Sequence, residues 1–273
     1  MRRKLIVLID FSSYSEPLVK FALNWANELD LDLVFVHQIT AIVPAMTDNE
    51  SRLQIVASEK NDALTRLRLL VQKYNSGKLM PQYQVTDKPL RFYLPHLLAD
   101  RADDLIMAGL KGTGILKRVF LGSTVAKIIE ELDYITVAMP GKISGLIPRH
   151  MTIAVNYRYP ANENALTSLI GLMLPSLVKI ELISIVTSAD DEAEVEAYLK
   201  KLQQRLPENI TSAYHLYNGK DAFSMVKSHC VTQVDTVLVV QKGSRTLKDH
   251  LFRRFFVNEL VYDGSIPLIV LPL

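Results

Sequence analysis

A single cysteine, Cys230, stands in the 273 residues, which excludes an intramolecular disulfide and any cysteine-rich zinc site. The ordinary role of such a lone cysteine is that of a small buried hydrophobe. Charge of one sign is equally scarce. Thirty-one Lys and Arg against 29 Asp and Glu leave a formal net charge of +2, so there is no electrostatic footprint for nucleic acid or for an anionic membrane. Long hydrophobic runs are missing as well. The apolar stretch after Met1-Arg2-Arg3-Lys4 ends at Asp10, too short for an export signal. The uncharged stretch from Asn164 to Val178 contains Pro175 and falls short of the roughly 18 residues of a membrane helix. A soluble, cytoplasmic protein is the expectation.

Catalytic signatures are absent too. Gly114 is followed by Ile115, so the G-x4-G-K-[S/T] phosphate loop fails, and neither H-E-x-x-H nor G-x-S-x-G occurs. The six histidines, at positions 37, 96, 150, 215, 229 and 250, lack metal-ligand spacing, so no metal site is expected. Asp103-Asp104 and Asp190-Asp191-Glu192 read as a strand entrance and a helix N-terminus, where negative charge is favoured. No catalytic residue is assigned.

What is present is alternation. Leu5 to Ile9 is a short, continuously apolar run, as expected of a strand covered on both faces. After Asp10, the hydroxyls of Ser12, Ser13 and Ser15 offer helix caps, and Leu18, Phe21, Ala22, Trp25, Ala26 and Leu29 recur at helical spacing. Leu33 to Val36 predicts a second strand. A long helix from about Asp48 shows Leu53, Val56, Ala57, Leu64, Leu67 and Val71 on one face. Gln82 to Val85, a helix over Leu90 to Ala99, Leu105 to Ala108, a glycine-rich loop, a helix from Gly122 and a strand at Ile135 to Ala138 follow. The pattern then restarts, with Thr152 to Asn156, Ile180 to Ile183 and Val237 to Val240 as the first, second and fourth strands of another copy. Ile135 to Pro140 stands 132 positions before Pro267 to Pro272. The expected domains are therefore 1–141 and 150–273, each doubly wound α/β, with Gly141 to Arg149 between them.

The loop after the fourth strand carries the chemistry. Gly109-Leu110-Lys111-Gly112 precedes nine residues and then Gly122-Ser123-Thr124. Glycines let backbone amides approach an anion, and a helix opening at Gly122-Ser123-Thr124 presents unpaired N–H groups and a positive dipole end to phosphate. Lys111 adds a point charge. Glycines at strand and helix ends also serve turns and packing, and these residues alone leave both readings open.

The spacing resembles the universal stress protein family, whose ATP-binding members carry G-x2-G-x9-G-[S/T] at this place. Gly109, Gly112, Gly122 and Ser123 match it, and the resemblance extends to Asp10-Phe11-Ser12 with Ser15 after the first strand, to Val36-His37, and to the approach from Asp104 to Gly109. It implies two doubly wound, five-stranded parallel-sheet domains of order 3-2-1-4-5, Rossmann-like and similar to the adenine nucleotide alpha hydrolases, with ligand at the carboxyl ends of the strands. It further implies that Asp10, with Phe11 and Ser12 beside it, and Val36 border adenine and ribose, while Gly109, Lys111, Gly112, Gly122, Ser123 and Thr124 surround the phosphates of ATP, with Mg²⁺ optional. Asp10 also reads as a cap of the first helix, and the two roles are compatible. Thr86-Asp87-Lys88-Pro89 departs from the family's usual glycine. In the second copy Gln241, Ser244, Arg254 and Phe255 replace Gly109, Gly112, Gly122 and Ser123, and Asn156 stands for Asp10. One ATP in the first half is expected. Arg245, Lys248, His250, Arg253 and Arg254 read as a solvated basic face there, with an anion site as the alternative.

The resemblance implies an ATP-binding regulatory protein of the stress response with a protein partner. A slow ATPase or nucleotide-dependent transferase, and an interaction scaffold that binds no nucleotide, are the alternatives. It also implies an internal pseudo-dimer through the last strands, Ile135 to Ala138 and Pro267 to Val270, leaving homo-oligomers open.

Overall fold

The computed structural model describes residues 2–98, 104–109, 123–140, 147–188, 190–219, 222–231, 235–242 and 266–273. In the first half, β1 (Lys4–Ile9), α1 (Ser15–Glu28), β2 (Asp32–Gln38), α2 (Asn49–Gln72), β3 (Gln82–Thr86), α3 (Leu90–Leu97), β4 (Leu105–Gly109), α4 (Ser123–Glu131) and β5 (Ile135–Met139) alternate as the hydrophobic runs predict. The second half repeats the alternation through β6 (His150–Ala154), α5 (Glu163–Met173), β7 (Lys179–Val186), α6 (Glu192–Gln203), β8 (Thr211–Asn218), α7 (Ala222–Val231), β9 (Thr236–Gln241) and β10 (Leu268–Leu271).

These strands form one ten-stranded sheet of order β3-β2-β1-β4-β5-β10-β9-β6-β7-β8. Every described pairing is parallel except the central one, where β10 runs antiparallel to β5 with Leu268 opposite Ala138 and Ile269 opposite Val137. The halves meet through the last strands named for an internal pairing, β5 and β10, and the correction is that the two five-stranded sets are not separate sheets but one. Each half keeps the order 3-2-1-4-5, but the two sets are continuous, because an edge strand satisfies its unpaired backbone groups by adding another strand.

Continuous apolar strands follow from helices on both faces. Leu5, Val7 and Ile9 join one core layer with Phe21, Trp25 and Leu67, while Ile6 and Leu8 join the other with Leu94, Ile128 and Ile129. Side-chain alternation along each strand sends successive residues to opposite layers. Carboxylates cap two of the helices: Asp48 accepts from the Ser51 amide at the start of α2, and Asp191 accepts from the amides of Ala193 and Glu194 at the start of α6. The serine caps expected for α1 are not used, because its N-cap is Tyr14, which makes no side-chain cap hydrogen bond. Asp104, at the entrance of β4, is buried and accepts from the Lys4 amide at 2.8 Å. The apolar face expected of α2 is shorter than its pattern suggests, since Ala63, Leu67 and Val71 are buried whereas Leu53 is 71% exposed.

Candidate functional site

Strand order reverses beside β1, whose neighbours β2 and β4 lead their chains to opposite sides, and a crevice opens at the carboxyl ends there. It is a cavity of about 370 Å³, in the range of small-molecule sites. Asp10 and Ser12 supply one wall, Val36, His37 and Gln38 a second, and Ala108 and Gly109 the floor beside Val125 of α4.

The wall after β1 is built by Asp10. Its carboxylate accepts from the Ser12 amide at 2.9 Å and from the Ser15 hydroxyl at 3.2 Å. The short side chain thus closes an Asx turn and ties it to the first turn of α1. Between them Phe11 takes φ 57°, a left-handed conformation uncommon for a bulky residue. Its ring is held between His37, 4.3 Å away centre to centre, and the Arg66 guanidinium at 4.2 Å. Phe11 lines a neighbouring depression with Arg66 and Lys73 rather than the main cavity.

His37 is a wall residue that spacing alone did not single out. Its Nδ1 lies 2.7 Å from the Ile9 carbonyl oxygen, so Nδ1–H donates and Nε2 of the neutral ring carries the lone pair. Burial pushes its pKa below the ordinary imidazole value, with Arg66 acting in the same direction. The signal available in the sequence was its place directly after Val36 at the end of a buried strand.

Gly109 ends β4 in the cavity floor. A Cβ placed there would stand 3.6 Å from Tyr14 Cβ and 3.8 Å from Leu18 Cδ2, which is ordinary van der Waals contact, and both residues line the cavity. Neither steric exclusion nor a left-handed backbone therefore demands glycine. The first turn of α4 reaches the cavity through Val125, so the helix opened by Ser123 and Thr124 begins at its rim. Asp10, Ser12, Val36 and Gly109 are brought together; Lys111, Gly112 and Gly122 lie outside the described residues.

The matching place in the second half is built differently. Asn156 repeats the Asp10 turn by accepting from the Arg158 amide at 2.9 Å. Gln241, which stands where Gly109 does, is buried. Its side chain accepts from the Asn162 amide at 2.7 Å and donates to the Pro272 carbonyl at 2.6 Å, while Asn162 caps α5. An amide side chain thus links the end of β9, the start of α5 and the last residues of the chain. Ser244, Arg254 and Phe255 lie outside the described residues.

Residues 1–134 match the model of the universal stress protein family. No curated protein sequence matches the chain. Among solved structures, a universal stress protein from Archaeoglobus fulgidus DSM 4304 superposes with a TM-score of 0.71 at 10% identity, covering 98% of each chain. A functionally unknown protein from Pseudomonas aeruginosa PAO1 gives 0.60 at 13% identity, covering 99% of this chain and 93% of its own. At such identities these are likenesses of fold, and they run the length of the chain. No helix among the described residues is long and apolar enough to cross a membrane.

Proposed function

We propose that this chain, which opens with a universal stress protein domain, is an ATP-binding regulatory protein of the stress response. It takes one ATP in its first half, and the bound state alters how it docks on a protein partner. Adenine and ribose lie against Asp10, Ser12 and Val36, and the phosphates lie over Gly109 toward the amides that open α4. Gly112, Gly122, Ser123, Thr124 and Lys111 complete the phosphate cradle, and Mg²⁺ is optional.

The observation that carries this reading is the contrast at one structural position. Gly109 puts no side chain on the floor of the first cavity, whereas Gln241 stands at the counterpart position and spends its hydrogen bonds on the surrounding backbone. Backbone amides at a helix start favour phosphate only where no side chain stands in the way.

Nucleotide analysis of the protein as purified, followed by titration calorimetry with ATP, tests it. One ATP per chain is expected. Two charge-assisted hydrogen bonds at roughly 1.5–3 kcal/mol each correspond to about two to four decades of affinity, so Gly122→Arg abolishes measurable binding, and Arg254→Gly alone creates no second site. A stoichiometry near two, or none, overturns the reading.

A further inference from the structure

On the second half of the sheet, far along the strand order from the cavity, β7 carries a carboxylate where a hydrocarbon would be ordinary. Glu181 is 4% exposed and stands in register between Thr152 of β6 and Ala213 of β8. A buried carboxylate is costly without partners, and Lys179 supplies one, with Nζ 2.8 Å from Oε1.

Two imidazoles converge on the same carboxylate. His215 Nε2, from β8, lies 3.0 Å from Glu181 Oε1, and His229 Nε2, from α7, lies 3.5 Å from Oε2. The ligand atoms of all three residues lie within 4.8 Å of one another. A tetrahedral ion with bonds of about 2.05 Å sets its donor atoms about 3.3 Å apart; the imidazole-to-carboxylate distances, one to each oxygen of Glu181, lie on either side of that spacing. The His229 ring is oriented from behind: Tyr217 Oη lies 2.8 Å from Nδ1. A phenol oxygen can accept from Nδ1–H, and in that tautomer the lone pair of His229 is on Nε2, the atom that faces Glu181; an outer hydrogen bond of this kind orients a metal-binding histidine.

We propose that Glu181, His215 and His229 bind one divalent transition-metal ion of the zinc class, with Tyr217 as a positioning residue. Two imidazole nitrogens and a carboxylate suit a borderline ion such as Zn²⁺ rather than Mg²⁺ or Ca²⁺, which take oxygen donors. Solvent reaches the site past His215, whose side chain is 38% exposed, while those of Glu181 and His229 are 5% and 7% exposed. Lys179, itself 37% exposed, holds the carboxylate in the metal-free protein and swings out when the ion enters. The sequence assigns no metal site here. Spacing hid it, because Glu181 and His215 are 34 residues apart on neighbouring strands.

Co²⁺ titration of the tag-free full chain tests the site, since a low-symmetry Co²⁺ complex absorbs in the visible. One Co²⁺ per chain is expected, with d–d bands that Zn²⁺ abolishes by displacement. His215→Ala, a change on a partly exposed edge strand, removes the bands. Tyr217→Phe weakens binding about 10–100-fold. Lys179→Met keeps or tightens binding, because it removes the competitor for the carboxylate, whereas in a mere ion-pair cluster it would only destabilise the fold. Absence of the bands in the folded wild-type protein and in Lys179→Met overturns the proposal, as does their survival in the folded double variant His215→Ala/His229→Ala.

Discussion

Single residues at the cavity separate what folding needs from what a ligand needs. Gly109 is the clearest case, because an added methyl would meet only ordinary contacts with Tyr14 and Leu18. Gly109→Ala is expected to leave stability unchanged or raise it by up to about 1 kcal/mol, and to weaken ATP binding by about tenfold, or about 1.4 kcal/mol. Thermal melting and calorimetry read the two effects, and a loss of stability with binding intact would assign the glycine to packing. His37 makes a second residue-scale prediction. Burial lowers its pKa, Arg66 adds to the lowering, and the Ile9 carbonyl and Asp10 oppose it. The unfolded chain therefore binds this proton at a higher pH than the native chain. His37 stabilises the fold fully above about pH 6.5, and that contribution is lost as pH falls toward the lowered native value. Melting temperatures between about pH 5 and 8 should show a shallower acid loss in His37→Gln than in the wild type; equal slopes would remove His37 from the account. The thiol of Cys230 is the converse case of a residue legible from the start. It is fully buried, and burial pushes its pKa up to about 12, so it behaves as the hydrophobe that a lone cysteine suggests. The glycine spacing was legible because it is local, whereas the use of His37 depends on a carbonyl 28 residues away.

At the scale of elements, the first half was legible because buried parallel strands write themselves as continuous apolar runs, from Leu5-Ile6-Val7-Leu8-Ile9 to Leu105-Ile106-Met107-Ala108. Less legible was β8, whose residues are half-buried along most of its length and include Tyr214, His215 and Tyr217; an edge strand mixes polar and apolar residues on both faces. Helix α2 shows why periodicity overstates burial. Its 24 residues span about 36 Å, whereas the seven residues of β2 and five of β3 reach only about 16–23 Å. The helix outruns the sheet beneath it, and its first turns, with Leu53, project past the core. Leu67→Ala should therefore cost about 2–5 kcal/mol, and Leu53→Ala no more than about 0.5 kcal/mol. Urea unfolding of the two variants measures both, and equal costs would mean that the start of α2 is packed in solution.

For the whole molecule, the repeated strand pattern made both halves readable, and the resemblance pointed to their last strands as the place where they meet; the repeat itself carries no signal for the fusion into a single sheet. That fusion rests on β5 and β10, short strands whose side chains are all buried and which would each be an edge without the other. Thr136, Val137 and Ala138 face Val270, Ile269 and Leu268 across the antiparallel pair. Ile135, Val137 and Met139 are at most 1% exposed, so separating the halves would bare both a row of backbone hydrogen-bonding groups and the apolar residues beside it. An edge of that kind recruits another strand, and a second copy of the same surface is the simplest donor, since an antiparallel pair of identical strands has two-fold symmetry. A fragment comprising residues 1–141 is accordingly expected to self-associate through β5 in sedimentation velocity, with a weight-average mass that rises with concentration. Adding the fragment from residue 150 onward should convert these assemblies to one-to-one heterodimers, because β10 offers the side chains that β5 meets in the intact chain. A folded 1–141 fragment that stays monomeric at high concentration and ignores its counterpart would show that the central strand pair is a consequence of covalent linkage rather than of complementary edges.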